Sequence, residues 1–225
     1  MSSPSDSAPS FEGGPCHRQE EILDAATELF AELGYTEAVT QDLALKLQVG
    51  KGTIYRFYPS KRDLFLAAVD RVMWRLRARI DAATRDDLDP LDRVEDSIRA
   101  ILGFFEDHPN YVELLVQERA LFKDRTTPTY LAHHERHRER WHDIYRQLMA
   151  EGRVRPMPPE RISTVFLDLV YGTIFTNHFS GWRRSADDQA RDVIDILFRG
   201  ILAEPERARR DPAAVEALSA PEYAS

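Results

Sequence analysis

The chain has 225 residues, of which 43% are hydrophobic and 30% are charged, so it can form one large domain or a small domain joined to a larger one. No segment approaches the roughly 18–20 uninterrupted apolar residues of a membrane span, and the first residues lack the basic and apolar regions of a secretory signal. The single cysteine, Cys16, excludes an intramolecular disulfide and a CxxC metal site. We therefore expect a cytoplasmic protein without a membrane partner.

The charges are unevenly distributed along the chain. The formal net charge of −8 disfavours nucleic-acid binding when it is averaged over all residues. Residues 46–62, however, contain five basic side chains and no acidic one: Lys46, Lys51, Arg56, Lys61 and Arg62. Such a segment suits a phosphate backbone, while the acidic remainder repels DNA from other faces. A solvated basic surface has the same composition, so charge alone leaves both interpretations open.

Three helices are predicted at the start of the folded region. Apolar residues recur at helical spacing from Arg18 to Gly34, where glycine favours a helix end. A second, short helix is predicted to follow Thr40, whose hydroxyl suits the N-terminal cap position. A third is expected over residues 51–58, because Pro59 cannot continue it.

Longer helices are predicted for the rest of the chain. Ser60 is placed to cap a fourth helix, whose apolar stripe is Leu64, Ala68, Val72, Leu76 and Ile80 with Phe65, Val69 and Met73 beside it. X-Pro steps then mark helix starts, because proline in the first turn loses no needed hydrogen bond. These helices are expected at about 89–107, 109–123, 127–152, 160–180 and 187–203. Since no segment alternates like a strand, the sequence predicts an all-α fold of about nine helices.

Residues 40–61 have the features of a helix-turn-helix. Ala44 is the small residue where the two helices meet, residues 48–50 form the turn, and Ile54 is an apolar anchor on the second helix. The start of that second helix carries donors, charge and aromatic rings beside free backbone N–H groups, which favour phosphate oxygens and base edges. Core packing explains the apolar positions Leu43, Ala44, Leu47, Val49 and Ile54.

The chain resembles the TetR/AcrR family of one-component bacterial regulators. The matching segments are ILDAATELFAELGY, Thr40 with Leu43-Ala44, GKGTIYRFYPSK and the long helix after it. The resemblance implies phosphate contacts from Thr40, Thr53, Tyr55 and Lys61. It also implies that bases are read by Lys51, Arg56 and Phe57 with help from Gln41, and Lys51 or Arg56 is expected to face a guanine.

Three features of the turn and the second helix depart from the family pattern. The family usually has glycine at the position of Gln48, where the backbone favours a positive φ, so glutamine either costs on the order of 1 kcal/mol or the turn differs. Gly50 stands where serine is common and offers no side-chain oxygen for capping. Phe57-Tyr58 reverses the family's Tyr-Phe pair.

The last two predicted helices are apolar on two sides. The helix from Glu160 has one stripe (Ile162, Val165, Phe166, Leu169, Val170, Thr173 and Ile174) and a second (Leu167, Tyr171, Phe175 and His178). The helix at 187–203 repeats this pattern. One side needs a partner outside its own core, which two such helices from each of two chains would provide as a four-helix bundle. The resemblance also implies a homodimer, and two-fold symmetry predicts operator half-sites ~34–36 Å apart or more.

The middle helices are rich in aromatic residues, including Phe105, Tyr130 and Trp182. Core packing is one interpretation, and a cavity for a small apolar or aromatic effector, which the resemblance implies, is the other. The candidate effector-binding residues are Phe104, Tyr111, Phe122, Trp141, Tyr145, Phe166, Tyr171, Phe175 and His178, with Asn177 and Gln117 as further polar anchors.

Histidines at positions 133, 134, 137 and 142 raise the question of a metal site. His133 and His137 have a spacing that can chelate zinc, but no carboxylate is expected on the same helix face. We therefore expect a solvated helix face, no metal and no cofactor.

Catalytic motifs are absent from the sequence. GKGT lacks the earlier glycine and the following Ser or Thr of a phosphate-binding loop, and GxSxG and HExxH do not occur. The sequence thus predicts a protein that is not an enzyme, and the resemblance to the TetR/AcrR family implies a repressor. It would bind a pseudo-palindromic operator as a homodimer and be released by a small, largely apolar effector. An activating or effector-independent regulator, and a helical interaction module without DNA binding, remain alternatives.

The predicted organisation has four parts. They are a disordered tail at 1–16, a helix-turn-helix DNA-binding domain at 17–63, a helical effector-binding and dimerisation domain at 64–203, and a flexible tail at 204–225.

Overall fold

The computed structural model describes residues 15–181 and 184–199, and over these ranges it contains nine α-helices and no strand. The predicted all-α fold is confirmed. The helices are α1 (Pro15–Glu37), α2 (Thr40–Lys46), α3 (Lys51–Phe57), α4 (Lys61–Ala83), α5 (Pro90–Asp107), α6 (Tyr111–Leu121), α7 (Thr129–Ala150), α8 (Pro159–Ser180) and α9 (Ala186–Arg199). Trp182, most of the two predicted tails and the predicted end of the last helix lie outside the described residues. None of the helices described is long and apolar enough to cross a membrane.

The first helix bends at Gly34, near its end. Gly34 has φ 74° and ψ 171°, a conformation that only glycine adopts readily, so the predicted stop is observed as a kink. The predicted capping by Thr40 is wrong, because Val39 occupies the N-cap position and no side chain caps α2. Thr40 is instead the first residue of α2, and its buried hydroxyl lies 3.0 Å from the Tyr55 hydroxyl.

Helix α4 is shared between the N-terminal helices and the remainder of the fold. The predicted cap is confirmed, since Ser60 Oγ accepts a hydrogen bond from the Asp63 backbone N–H at 3.1 Å. The helix packs along α1 on one side and against α5, α6 and α7 on others. Its core-facing residues follow the predicted stripe: Leu64, Phe65, Ala68, Val69, Val72, Met73 and Leu76.

Side-chain carboxylates bind the first residues of α5 and α7. Asp89 Oδ1 accepts from the Leu91 N–H at 2.8 Å at the start of α5. Glu118 of α6 is only 1% exposed and accepts hydrogen bonds from both the N–H and the hydroxyl of Thr129, at the start of α7. The guanidinium of Arg125 lies 3.3 Å from the same carboxylate. Because these partners satisfy the buried Glu118 carboxylate, the hydrogen bonds fix the start of α7 against the end of α6.

Helix α8 buries one side against α5, α6, α7 and α9 and leaves another exposed. Val170, Tyr171 and Ile174 are buried, whereas Val165 and Phe179 are 44% and 70% exposed. The two apolar stripes predicted for this helix therefore do not correspond to its buried side and its exposed side. Val165 belongs to the same predicted stripe as Val170 but points away from it.

Candidate DNA-binding surface and ligand cavity

Helices α2 and α3 and the turn between them form a helix-turn-helix. Leu43, Ala44 and Ile54 are at most 1% exposed, which confirms their core role. Gln48 has φ 52°, so the turn keeps its positive φ although the residue is not glycine. Gly50 is the N-cap of α3, with its carbonyl accepting from the Thr53 N–H at 2.8 Å.

The candidate DNA-reading side chains lie on the exposed side of this unit. Gln41, Lys51 and Arg56 are exposed, while Thr53, Tyr55 and Phe57 are half-buried. Two cations rest on neighbouring rings: Lys51 Nζ lies 5.8 Å from the Tyr55 ring centre, and Arg56 Cζ lies 5.0 Å from that of Phe57. Each charged group thus lies over an aromatic ring on a side chain that is exposed to solvent.

Two other basic residues of this segment differ in their surroundings. Lys61 Nζ donates to the Thr36 carbonyl at 3.1 Å and lies 4.8 Å from the Tyr35 ring centre, at the start of α4. Arg62, by contrast, is hydrogen-bonded to Asp124, in the segment after α6, and rests on the Phe122 ring. The positive charge of Arg62 is therefore already paired, which a count of basic residues cannot reveal.

A polar cluster joins the DNA-binding helices to the other helices. Arg75 of α4 donates to Asp24 at 2.8 Å and to Glu28 at 2.7 Å, both on α1, and is also hydrogen-bonded to the Tyr111 hydroxyl of α6. Burial and the hydrogen bond to Glu28 raise the pKa of Tyr111 to about 12. Burial opposes ionisation of Asp24, but the arginines, including Arg71, outweigh it and lower the pKa of that carboxyl.

A small apolar cavity of about 80 Å³ lies among α4, α5, α7 and α8. Four candidate effector residues line it: Trp141, Tyr145, Phe166 and Tyr171. Sequence reasoning missed its α4 wall (Met73, Leu76, Arg77 and Ile80) and its histidines (His133, His134 and His137).

The other candidate effector residues lie elsewhere. Phe104, Tyr111 and Phe122 are buried in the core, and Phe175 packs against the ring of Tyr130. Gln117 accepts a hydrogen bond from the Tyr35 N–H at 2.6 Å, beneath Gly34, and does not line the cavity. His178 and Asn177 line a separate groove of about 590 Å³ among α5, α6, α8 and α9, where His178 Nε2 lies 3.0 Å from Glu113.

The expected solvated histidine face on α7 is wrong. His133 and His142 are 5% and 1% exposed, and His133 Nε2 lies 2.7 Å from the Asp70 carboxylate. Burial lowers the pKa of His134 and, together with nearby Arg77, that of His137. No group of three or more potential ligands within the described ranges is arranged to hold a metal ion.

The fold and the α2–α3 surface define a helix-turn-helix DNA-binding protein with a larger helical region. Residues 22–68 match the family model described as "Bacterial regulatory proteins, tetR family". The Bacillus subtilis HTH-type transcriptional regulator YhgD is 31% identical over 169 residues, which cover 70% of this chain and 83% of YhgD. The chain belongs to the TetR family. The predicted class, a transcriptional regulator and not an enzyme, is confirmed.

Solved structures show the same fold. The Bacillus subtilis regulator FadR, in complex with stearoyl-CoA, superposes with a TM-score of 0.67 at 16% identity, over 81% of this chain and 99% of FadR. The TetR family regulator PfmR from Thermus thermophilus gives a TM-score of 0.61 at 25% identity, over 81% of this chain and 99% of PfmR.

Proposed function

We propose that this TetR-family regulator is a homodimeric repressor that binds a pseudo-palindromic operator and is released by a small, largely apolar effector. The observation that carries the proposal is that one helix, α4, connects the exposed α3 surface to the cavity. Helix α4 carries Lys61 at one end and lines the cavity with Met73, Leu76 and Ile80 farther along. In this arrangement residues 17–63 are the DNA-binding domain and residues 64–203 the effector-binding and dimerisation domain.

Exposed apolar side chains on α8 and α9 support the homodimer. Val165, Phe179, Ile196 and Phe198 are between 40% and 70% exposed. Large apolar side chains on two adjacent helices are typical of a surface that is covered by a partner. In the proposed dimer, a two-fold axis through this surface would put the two α3 helices on one side, as half-sites one or more helical turns apart require.

The size of the cavity determines how a ligand would cause release. Pockets for drug-sized ligands span about 300–1,000 Å³. The cavity of about 80 Å³ is smaller, so a ligand has to separate the helices that enclose it. A ligand that binds better to the widened conformation shifts the population toward it. Because α4 is one wall, that shift moves the N-terminal helices.

A fluorescence-anisotropy titration against the DNA that flanks the gene tests DNA binding. We expect affinity to fall steeply between 50 and 200 mM salt, by about 10³-fold or more if six or more phosphates are contacted. Arg56→Ala should weaken specific binding by about 10- to 100-fold, in line with the loss of one bidentate base contact. Arg62→Ala is the matched control, since it removes an equal charge that is paired with Asp124. Equal losses for both variants, or no binding to any duplex, would contradict the proposal.

Repression itself requires a transcription assay. We expect purified protein to reduce transcription in vitro from a promoter that carries the bound sequence, and an effector to restore it. Increased transcription on addition of the protein would identify an activator instead.

A further inference from the structure

His133 connects α4 to the cavity through its two ring nitrogens. Its Nε2 lies 2.7 Å from Asp70 Oδ1, and a carboxylate can only accept, so the proton of the neutral ring is on Nε2. Nδ1 accepts a hydrogen bond when the ring is neutral and donates one when both ring nitrogens carry a proton, and a ligand hydroxyl group can pair with it in either form. Nδ1 is buried and has no hydrogen-bond partner, on a side chain that is 5% exposed and lines the cavity.

Ser163 of α8 brings a second polar atom to the same cavity. The residue is 5% exposed, and its Oγ is buried without a hydrogen-bond partner. His137, which also lines the cavity, likewise has a buried ring nitrogen, Nε2, without a hydrogen-bond partner. An unpaired buried polar group costs about 1–3 kcal/mol, so these atoms favour a ligand with a polar group. A hydroxyl group can pair with both His133 Nδ1 and Ser163 Oγ, because it donates one hydrogen bond and accepts others.

The charge of the lining disfavours an anionic ligand. Among the described lining residues Arg77 is the permanent cation, and its guanidinium lies 2.6 Å from the Asp81 carboxylate. Burial lowers the pKa of His134 and of His137, which favours their neutral forms. A carboxylate or phosphate buried here would have no unpaired positive charge beside it.

We propose that the cavity binds a neutral, mainly apolar molecule with one hydroxyl group, which forms hydrogen bonds with His133 Nδ1 and with Ser163 Oγ. The role of this molecule as the effector rests on the proposed function. Its binding to the cavity can be tested without DNA. His133 is also hydrogen-bonded to Asp70 of α4. The ligand would therefore be connected, through His133, to the helix that leads to the DNA-binding domain.

Three probes of similar shape test the inference by calorimetry on the full-length protein: 4-methylphenol, p-xylene and 4-methylbenzoate. We expect 4-methylphenol to bind with one site per chain and at least about tenfold more tightly than either of the others, as one or two completed buried hydrogen bonds predict. Nitrogen-15 NMR should show the His133 Nδ1 resonance moving on addition of 4-methylphenol and staying in place with p-xylene.

Ser163→Ala is the decisive variant, because the removed hydroxyl has no partner and the fold should tolerate its loss. We expect it to weaken 4-methylphenol by about three- to tenfold and to leave p-xylene unchanged. Ser97→Ala is the matched control, since Ser97 lines the same cavity but its hydroxyl already donates to the Val94 carbonyl at 2.7 Å.

The inference is overturned if p-xylene or 4-methylbenzoate binds as tightly as 4-methylphenol, if Ser163→Ala has no effect, or if none of the three probes binds. DNA titrations on the same preparations report separately on the proposed function. Salt-sensitive DNA binding without binding of any probe would leave the regulator in place and reject only this ligand class.

Discussion

Gln48 turns the chain between α2 and α3 with φ 52°, and among the described residues other than glycine no second one has a positive φ. An L-residue in this region costs about 1–2 kcal/mol, because its Cβ crowds the following carbonyl. The side chain is exposed, so packing does not offset this cost.

Replacing Gln48 by glycine should therefore stabilise the protein. Glycine relieves the backbone strain of the folded state, and this gain is larger than the entropic cost of a more flexible unfolded chain. We therefore expect the free energy of unfolding to rise by about 0.5–1 kcal/mol. Urea denaturation measures it, with Gln48→Ala as a control that shortens the side chain but keeps the Cβ. A gain for alanine as large as that for glycine would argue against strain as the cause.

The histidines of α7 make stability depend on pH. Burial lowers the pKa of His134 and of His137 below the ordinary value of 6.5, so near that pH the unfolded chain binds more protons than the folded one. Stability should be complete above 6.5 and decrease as the pH falls from 6.5 toward the folded-state pKa values. Denaturation at pH 7.5 and 5.5 measures this. If the free energy of unfolding changes with pH just as much in a His134→Gln, His137→Gln double variant, other groups cause the pH dependence.

At the scale of helices, α1 and α6 meet closely at Gly34. A Cβ built on Gly34 would lie 2.6 Å from Gln117 Nε2, which is nearer than side chains pack. The backbone there also has φ 74° and ψ 171°. The backbone conformation thus requires glycine, and a Cβ here would also displace the Gln117 amide from its hydrogen bond with the Tyr35 N–H.

Gly34→Ala should lower the free energy of unfolding by about 2–3 kcal/mol, from backbone strain and displacement of the Gln117 side chain. Gly181→Ala is the matched comparison, since Gly181 also has a positive φ, 66°, but open space around it, and we expect about 1 kcal/mol there. Thermal unfolding of both variants separates the two contributions. Equal losses would show that the contact with Gln117 is unimportant.

Helix bounds were predictable where a local signal decides them. Ser60 and Asp89 cap helices through backbone groups two or three residues away, so their sequence neighbours suffice. Thr40 has the same chemistry but a partner fifteen residues on, the Tyr55 hydroxyl, and no local rule finds that contact. The polar surface of α3 was predictable because motif, turn and charge lie within one short segment.

The cavity was only partly predictable, because the rotation of each helix decides whether an aromatic residue faces the core or the cavity. Trp141 and Phe104 look alike in sequence, yet only Trp141 lines the cavity. The histidines were predicted to form a solvated face, and this was wrong. His133, His137, Trp141 and Tyr145 recur every four residues. Such spacing defines one helix face, and the aromatic members indicate that this face is buried.

At the scale of the whole molecule, the exposed apolar surface of α8 and α9 predicts self-association. Phe179→Glu, which places a charge on a side chain that is 70% exposed, should convert a dimer into monomers and weaken operator binding. Light scattering coupled to size exclusion measures the mass. Leu45→Glu, at a side chain 67% exposed on α2, is the control and should leave the mass unchanged. A dimeric Phe179→Glu variant would place the interface elsewhere.

Helix α4 also has the mechanical properties of a lever. Its 23 residues make a rod about 34 Å long. A tilt of about 5° around one end displaces the other by about 3 Å, close to the ~3.4 Å step between stacked base pairs. A small widening of the cavity near one end of α4 would thus shift each DNA-binding domain by nearly one base pair. Opposite shifts in two subunits would double that mismatch with a rigid duplex.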